Sequence, residues 1–438
     1  MSAIAPQADP NRKHLETART QIAEGKLQEA ALTLNKAQRN IPNDPRVFML
    51  AGLMAEKAGN LPKAIESLRH SVAISPDWGP GLLELALMLA RHNQNQEAVE
   101  LAEKVAGVEP GNLMVLAGVV DIAHRVGHTE MAVRHLQRGL ELVPGDVQLR
   151  RLLARDLSTL GRHAESLDVW SALIAQDGDD TEALLGRVQV LLAAEKPSQA
   201  VTDTTRLLEL APGDSVYAYY NALAHGVTPA HQPTELNRNL FDNLAEIYDQ
   251  HTVRGLGYQL PKIVAGKILA RFPDKNLNVL DLGCGTGLLG VCLGRLDGYL
   301  IGVDISKKMI EQAFRHDVYD RFHTVNLLDA LRETPGDIYE VMAALDVFIY
   351  AGDLREAIPD AFRILKAEGD LFFSCESAAE DGPDLVLQGN GRYAHKRSHV
   401  QQLCRDAGFQ PVEIEDIVLR NEGGTPVNGF LVTARKPV

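Results

Sequence analysis

The feature that most restricts how this 438-residue chain can fold is a beat of 34 residues. Prolines stand at Pro42, Pro76, Pro110, Pro144 and Pro212, each 34 residues or a multiple of 34 apart, and Gly178 fills the one gap. Small residues keep the same phase at Ala30, Ala64, Ala98, Ala132, Ser166 and Ala200. A third position follows with Gly25, Gly59, Asn93, Gly127 and Gly161, and only Glu195 departs. Three position classes in phase over six units imply six copies of one small motif. Glycine or asparagine marks a turn, alanine a close helix contact, and proline the place where a helix stops. Each unit is then a pair of antiparallel helices. No single pair can bury its apolar face, so stacked neighbours supply the core.

This pattern resembles the tetratricopeptide repeat, and it predicts an all-α solenoid over residues 11–226, six repeats plus a capping helix in SVYAYYNALAHGV (214–226). Arrays of this kind bind peptides or protein surfaces in a groove lined by the first helix of each unit. By repeat phase that groove carries Arg12, Arg19, Met49, Leu53, Leu83, Leu87, Asp121, Arg151 and Arg155, an apolar middle with two basic ends. The expected partner is a protein or peptide; a purely structural scaffold is the plainer alternative.

Charge and composition narrow the classes further. A net charge of −14 argues against a nucleic-acid-binding body, which needs a basic face. MSAIAPQADPNRKHLE lacks the apolar stretch of a secretory leader, and no apolar run reaches the roughly 18 residues of a membrane span. Cys284, Cys292, Cys375 and Cys404 form no C-x-x-C pair, so no metal site is expected. A cytoplasmic location follows as the expectation.

VTPAHQPTE (227–235), with two prolines and no periodicity, reads as a linker, and a second domain is expected over 236–438. Two helical stretches (236–251 and 258–272) precede an alternation of strands and helices. Strands are predicted at 278–283, 299–304, 322–326, within 338–350 and at 370–375, and the alternation implies a mostly parallel sheet covered on both faces. The chain then ends on two strands joined by a short glycine-rich loop, VEIEDIVLR (412–420) and GFLVTARK (429–436), which predicts an antiparallel pair.

The chemistry is concentrated in DLGCGTGLLG (281–290). Its glycines fit two cofactors with an adenosine, because either needs a sharp turn and close backbone approach. Asp304, at the end of the second strand, would take two ribose hydroxyls in both cases. Asp281 makes the choice. A dinucleotide brings an anionic pyrophosphate to such a loop, which a carboxylate repels. S-adenosylmethionine brings an ammonium and a sulfonium, which a carboxylate attracts. The third glycine of the dinucleotide spacing, Gly290, is read as a small residue packing a helix on the sheet.

With VLDLGCGTG, IGVDIS, DVFIYAGDL, GRYAH and RNEGGTPVNGFLV in place, the second domain resembles a class I S-adenosylmethionine-dependent methyltransferase. The whole chain resembles bacterial methyltransferases that carry N-terminal tetratricopeptide repeats. The resemblance implies a multidomain protein, an all-α solenoid followed by a Rossmann-like α/β domain with a mostly parallel seven-stranded sheet. It also implies S-adenosylmethionine as cofactor and S-adenosylhomocysteine as product. Carried over by position, Gly283, Gly285 and Gly287 cradle the methionine part, Asp304 the ribose and Ile305 the adenine. Asn326 stands where an aspartate often reads the adenine amino group, and Cys284 and Leu327 complete the expected cofactor set. Tyr248 and Tyr258, in the entry helices, are read as lid residues over the cofactor. Candidates facing the acceptor are Asp346, Arg392, Tyr393 and His395, the last favoured as a base because an imidazole titrates near neutrality. The leading reading is methyl transfer with a protein recruited by the repeats. The alternatives are a small-molecule acceptor with the repeats as a tether, and a non-catalytic sensor of the cofactor.

Overall fold

The computed structural model describes residues 9–245, 248–249, 257–422 and 424–438. The end of the first entry helix and part of the stretch after it lie outside them. Internal contacts divide the chain into two compact units, residues 1–194 and 195–438.

The first unit is built of helix pairs. The first helices are α1 (Arg12–Ala23), α3 (Pro45–Lys57), α5 (Gly79–Arg91), α7 (Leu113–Arg125), α9 (Val147–Thr159) and α11 (Thr181–Ala193). The second helices are α2 (Leu27–Asn40), α4 (Leu61–Ile74), α6 (Asn95–Val108), α8 (Thr129–Leu142) and α10 (His163–Gln176). Each in-phase proline sits two residues beyond the end of a second helix, where the ring blocks another turn. The turn residues from Gly25 to Gly161 all have a left-handed φ between 60° and 78°. The small in-phase residues Ala30, Ala64, Ala98, Ala132 and Ser166 are wholly buried. Asp44, Asn112, Asp146 and Asp180 cap the starts of α3, α7, α9 and α11 through their side chains.

One expectation for the groove changes. Met49 is 7 % exposed and belongs to the core. The basic end at Arg151 and Arg155 is paired: Arg151 meets Asp180 at 2.7 Å, and both arginines meet Glu182. Carboxylates at the start of α11 thus neutralise the charge that the arginines alone suggest.

The second unit begins with Glu195, whose φ of 58° repeats the turn conformation without a glycine. Helix α12 (Val201–Leu210) closes the sixth repeat and α13 (Ser215–Ala224) packs on it, with Asn221 Nδ2 donating to Thr204 Oγ1 at 3.0 Å. Helices α14 (Thr234–Leu244) and α15 (Leu260–Arg271) lead into the sheet. Its strands are β1 (Val279–Leu282), β2 (Leu300–Asp304), β3 (Arg321–Thr324), β4 (Tyr339–Ala344), β5 (Leu365–Ser377), β6 (Leu385–Leu387), β7 (Tyr393–His395), β8 (Val412–Glu422) and β9 (Thr425–Arg435). Between them run α16 (Leu288–Leu293), α17 (Lys307–Ala313), α18 (Leu327–Glu333), α19 (Phe348–Ala351), α20 (Ala357–Ile364) and α21 (Arg397–Asp406).

The strands run β3-β2-β1-β4-β5 in parallel, and β9, antiparallel to β5, carries β8 at the far edge. That is the seven-stranded sheet with its closing hairpin. The short pair β6–β7 is an addition, joined to the end of β5 at Glu376 and Ser377. GRYAH (391–395) therefore ends in a strand. The face of Leu280, Leu282, Met342, Ala344 and Phe373 packs against α18, α20 and α21, and the alternate face of Val279, Val341, Ala343 and Phe372 against α15 and α16. The chain order reverses between β1 and β4, which opens a crevice at their carboxyl ends, the usual place for a ligand in such a sheet.

Candidate functional site

That crevice widens into a cavity of about 650 Å³, within the roughly 300–1,000 Å³ typical of small-molecule sites. Its floor is the turn after β1. Gly283, Gly285 and Gly287 all have left-handed φ, of 66°, 54° and 87°. A Cβ on Gly283 would stand 2.3 Å from Val347 Cγ2, so only glycine lets β1 and the β4 end approach this closely. A Cβ on Gly285 would meet nothing within 4 Å, and Gly285 lines the cavity.

Asp304 faces the same cavity from β2. Its Oδ2 accepts the Gly285 N–H and its Oδ1 the Ser306 N–H, each at 2.8 Å. These bonds fix the carboxylate while leaving acceptor capacity on both oxygens. Burial pushes its pKa up to about 6 against the opposing pull of the backbone N–H groups. Ile305 and Leu327 line the cavity beside it.

Asp281 lies behind the floor, 3 % exposed and outside the lining. Its Oδ2 accepts the Tyr319 hydroxyl at 2.6 Å. Burial pushes its pKa up to about 7, with Asp304 adding repulsion and Tyr319 opposing. The same Tyr319 oxygen accepts the Gly290 N–H at 3.2 Å, and a Cβ on Gly290 would come within 2.4 Å of the ring. Gly290 is thus small because Tyr319 passes over it to reach Asp281, a reason that the spacing alone does not reveal. Cys284 is buried, its Sγ against Gly302, and lies off the lining.

Asn326 lines the cavity, yet its Oδ1 caps α18 by accepting the Leu328 N–H at 2.8 Å, and its Nδ2 donates to Thr234 Oγ1 at 2.9 Å. The two tyrosines of the entry helices separate. Tyr248 lines the cavity. Tyr258 sits in the core with Leu260 and Val264, its hydroxyl pushed well above its usual pKa by burial. The entry segment is clamped to the floor by Ser306 Oγ donating to Asp242 at 2.6 Å and by a Thr286–Asp249 hydrogen bond.

The acceptor-facing candidates also divide. Asp346 lines the cavity with a left-handed φ of 56°. Its Oδ2 meets Arg420 Nη1 at 2.7 Å, and its Oδ1 is buried with no hydrogen-bond partner among the described residues. Burial raises its pKa against the pull of Arg420. Arg420 also pairs with Glu376 and with Glu422, and Arg392 bridges the same two glutamates at 3.2 and 2.6 Å. Arg392 is therefore a structural cation in this cluster, off the lining. Tyr393 is wholly buried and donates to the Pro229 carbonyl at 2.9 Å. His395 is corrected most clearly. It is 2 % exposed, its Nε2 lies 2.7 Å from the Gly352 carbonyl, and burial lowers its pKa to about 4. A neutral, enclosed imidazole braces β7 against α19 and does not present a base to the cavity.

Further residues complete the cavity wall. Phe241 and Tyr350 meet edge to face at 5.0 Å between ring centres. The segment read as a linker is tied down: besides Pro229, the Ala230 carbonyl accepts the Asp353 N–H at 2.8 Å, and His231 Nδ1 lies 2.7 Å from the Ala351 carbonyl. Gln232 Nε2 donates to the Gly391 carbonyl. Among the described residues no group of three or more His, Cys, Asp or Glu could hold a metal ion, and no helix is long and apolar enough to cross a membrane.

Comparison with known proteins gives a family described as a methyltransferase domain over residues 273–417 and the tetratricopeptide repeat over residues 15–77 and 151–215. The chain is 31 % identical over 109 residues to the mitochondrial ubiquinone biosynthesis O-methyltransferase of Bos taurus, a match over 23 % of this chain and 29 % of the relative. It is 25 % identical over 191 residues to the ubiquinone biosynthesis O-methyltransferase of Thiobacillus denitrificans, a match over 38 % of this chain and 82 % of the relative. Among solved structures, magnesium protoporphyrin IX methyltransferase of Synechocystis PCC 6803 aligns with a TM-score of 0.37 at 19 % identity, over 48 % of this chain and 100 % of that one.

Proposed function

The chain carries tetratricopeptide repeats and an S-adenosylmethionine-dependent methyltransferase domain, and from that premise we propose that it transfers a methyl group from S-adenosylmethionine to an acceptor hydroxyl while the repeats hold a protein or peptide partner. The observation that carries the reading is the floor of the cavity. Asp304 is fixed by the Gly285 and Ser306 N–H groups beside a glycine turn open to the lumen, which fits an adenosine-bearing ligand with free ribose hydroxyls. Asp304 would take those hydroxyls, Ile305 and Leu327 would flank the adenine, and Gly283 and Gly285 would leave room for the methionine part, whereas Gly287 lies off the lining against Ala313 and Tyr319. Asn326 would contact the adenine through the lone pair that its capping bond leaves free. Asp281, behind the turn, adds negative charge beneath the cationic end once it ionises, at about pH 7 in the cofactor-free fold. When bound, the cofactor supplies an electrophilic methyl group.

Asp346 would take the acceptor's proton, a role supported by its place on the cavity lining beside Arg420. An acceptor hydroxyl agrees with the two relatives named above, each an O-methyltransferase. Alignment of the acceptor in a walled cavity supplies much of the rate, up to about 7–11 kcal/mol in favourable cases.

The test uses S-adenosylmethionine labelled on its methyl group, the purified chain, and extract from cells lacking the gene. Protein-dependent label in the small-molecule fraction or in one protein band supports transfer and says which acceptor class is used. Labelled cofactor that stays intact on the protein, with no label in any fraction, would contradict catalysis and leave a sensor.

A further inference from the structure

The 34-residue phase does not stop at the sixth repeat. Helix α13 begins at Ser215, 34 residues after α11 begins at Thr181, so it is a seventh first helix. The helix that follows it, α14, packs against α17, and both α13 and α14 line the cavity. Where the turn residue falls due stands Pro229, and the chain crosses the cavity as the tied segment described above.

In the complete repeats, the side of the first helix that meets its own second helix is covered. Ala222 is in phase with Gly52, Ala86, Val120 and Ala154, all buried. A Cβ on Gly52 would meet Leu68 of α4 at 2.7 Å, and the Ala154 carbonyl accepts Ser166 Oγ of α10 at 2.6 Å. Ala218 is likewise in phase with the buried Leu82 and Leu116. On α13 these positions are the alanines themselves, and Ser215, Ala218, Tyr219 and Ala222 line the cavity. Spaced three and four apart, they form one helix face. The surface that a second helix covers elsewhere is here a wall of the cavity.

We propose that the slot between α13 and α14 is the acceptor subsite and that it takes a planar aromatic molecule bearing a hydroxyl. The inference rests on the methyltransferase reading of the same cavity. Aromatic rings set the shape: Tyr219, Phe241 and Tyr350 stand around the lumen, with the ring faces of Pro229 and Pro233. Such walls favour a flat apolar body, through area burial and edge-to-face contact. Asp346, on the same lining, takes the hydroxyl. The last helix of the repeat pattern therefore selects the acceptor, independently of what the earlier repeats bind.

The probe is 2-naphthol, titrated calorimetrically into the full chain saturated with S-adenosylhomocysteine, with 2-methoxynaphthalene as its partner lacking a donor. The expected result is one 2-naphthol per chain, bound at least tenfold more tightly than the methoxy compound. Ala218→Trp, at an exposed position of α13 that needs no core rearrangement, should weaken 2-naphthol at least tenfold and change S-adenosylhomocysteine affinity less than twofold. Absence of 2-naphthol binding beside normal S-adenosylhomocysteine binding overturns the subsite and leaves the cofactor reading standing. Displacement of S-adenosylhomocysteine by 2-naphthol, or equal binding to Ala218→Trp, overturns it as well. Failure of S-adenosylhomocysteine itself to bind overturns the cofactor reading, whatever 2-naphthol does.

Discussion

The two units hold their structure together by opposite means. In the first, one residue type at one phase does one job repeatedly: five small residues are wholly buried at the same helix contact, and five turn residues share a left-handed φ. In the second, almost no residue's role repeats. Asp281 depends on Tyr319, 38 positions later, and Pro229 on Tyr393, 164 positions later. A periodic unit spreads any one contact over many equivalents, whereas a site built from distant partners concentrates its function in a few.

The contrast is sharpest for the cofactor. Asp304→Ala should weaken S-adenosylmethionine binding at least a hundredfold, since it removes two charge-assisted hydrogen bonds of roughly 1.5–3 kcal/mol each. Thermal melting should change less, because the desolvation of the buried Asp304 carboxylate offsets the two N–H bonds it accepts from Gly285 and Ser306. Undiminished affinity by calorimetry would break the site assignment.

A repeat substitution should do the reverse. Ala98 is wholly buried at the helix contact, so Ala98→Leu should overpack it and cost about 1–3 kcal/mol of stability, read by denaturant unfolding. Cofactor affinity should stay within twofold.

The pH dependence falls between. Asp281 and Asp304, pushed up to about 7 and about 6, keep protons in the fold that an unfolded chain has already lost. The cofactor-free protein therefore loses stability as pH rises from about 4 to about 7. A cationic ligand favours the ionised forms, so S-adenosylmethionine affinity should rise about tenfold, roughly 1.4 kcal/mol, from pH 5.5 to 7.5. Tyr319→Phe removes the hydroxyl that opposes the shift and should move the midpoint to higher pH. A flat profile would place Asp281 and Asp304 out of contact with the ligand's charge.

The smallest effect concerns the one turn that breaks its own rule. Glu195 holds φ at 58° with a side chain that pays a steric cost there. Glu195→Gly should stabilise the chain by about 1 kcal/mol, measured as a shift in unfolding midpoint, and unchanged stability would mean that the glutamate is held by compensating contacts.

These differences explain what the sequence made legible. The six repeats, the strand positions up to β5, the closing hairpin and the turn at Gly283–Gly287 could be read because local spacing dictates each of them. Asp304 was legible for the same reason, since a strand end fixes its place. His395 misled because a side chain's pKa belongs to its surroundings, and burial beside the Gly352 carbonyl makes it neutral. Arg392 looked free for a ligand until Arg420, Glu376 and Glu422 came together around it from two other strands. Residues 229–232 looked like a loose linker because proline and the lack of period say nothing about carbonyls taken up by Tyr393 and Asp353. Tyr319 had no motif to announce it at all.

One titration tests the reading of the glycine turn most directly. S-adenosylmethionine and NAD are each titrated into the purified full chain by calorimetry, followed by a competition between them. One S-adenosylmethionine per chain, lost in Asp304→Ala and undisturbed by excess NAD, is the predicted result. Binding of NAD at the same site, with S-adenosylmethionine unable to displace it, would contradict the methyltransferase reading, because Asp281 would then lie beneath a pyrophosphate it should repel.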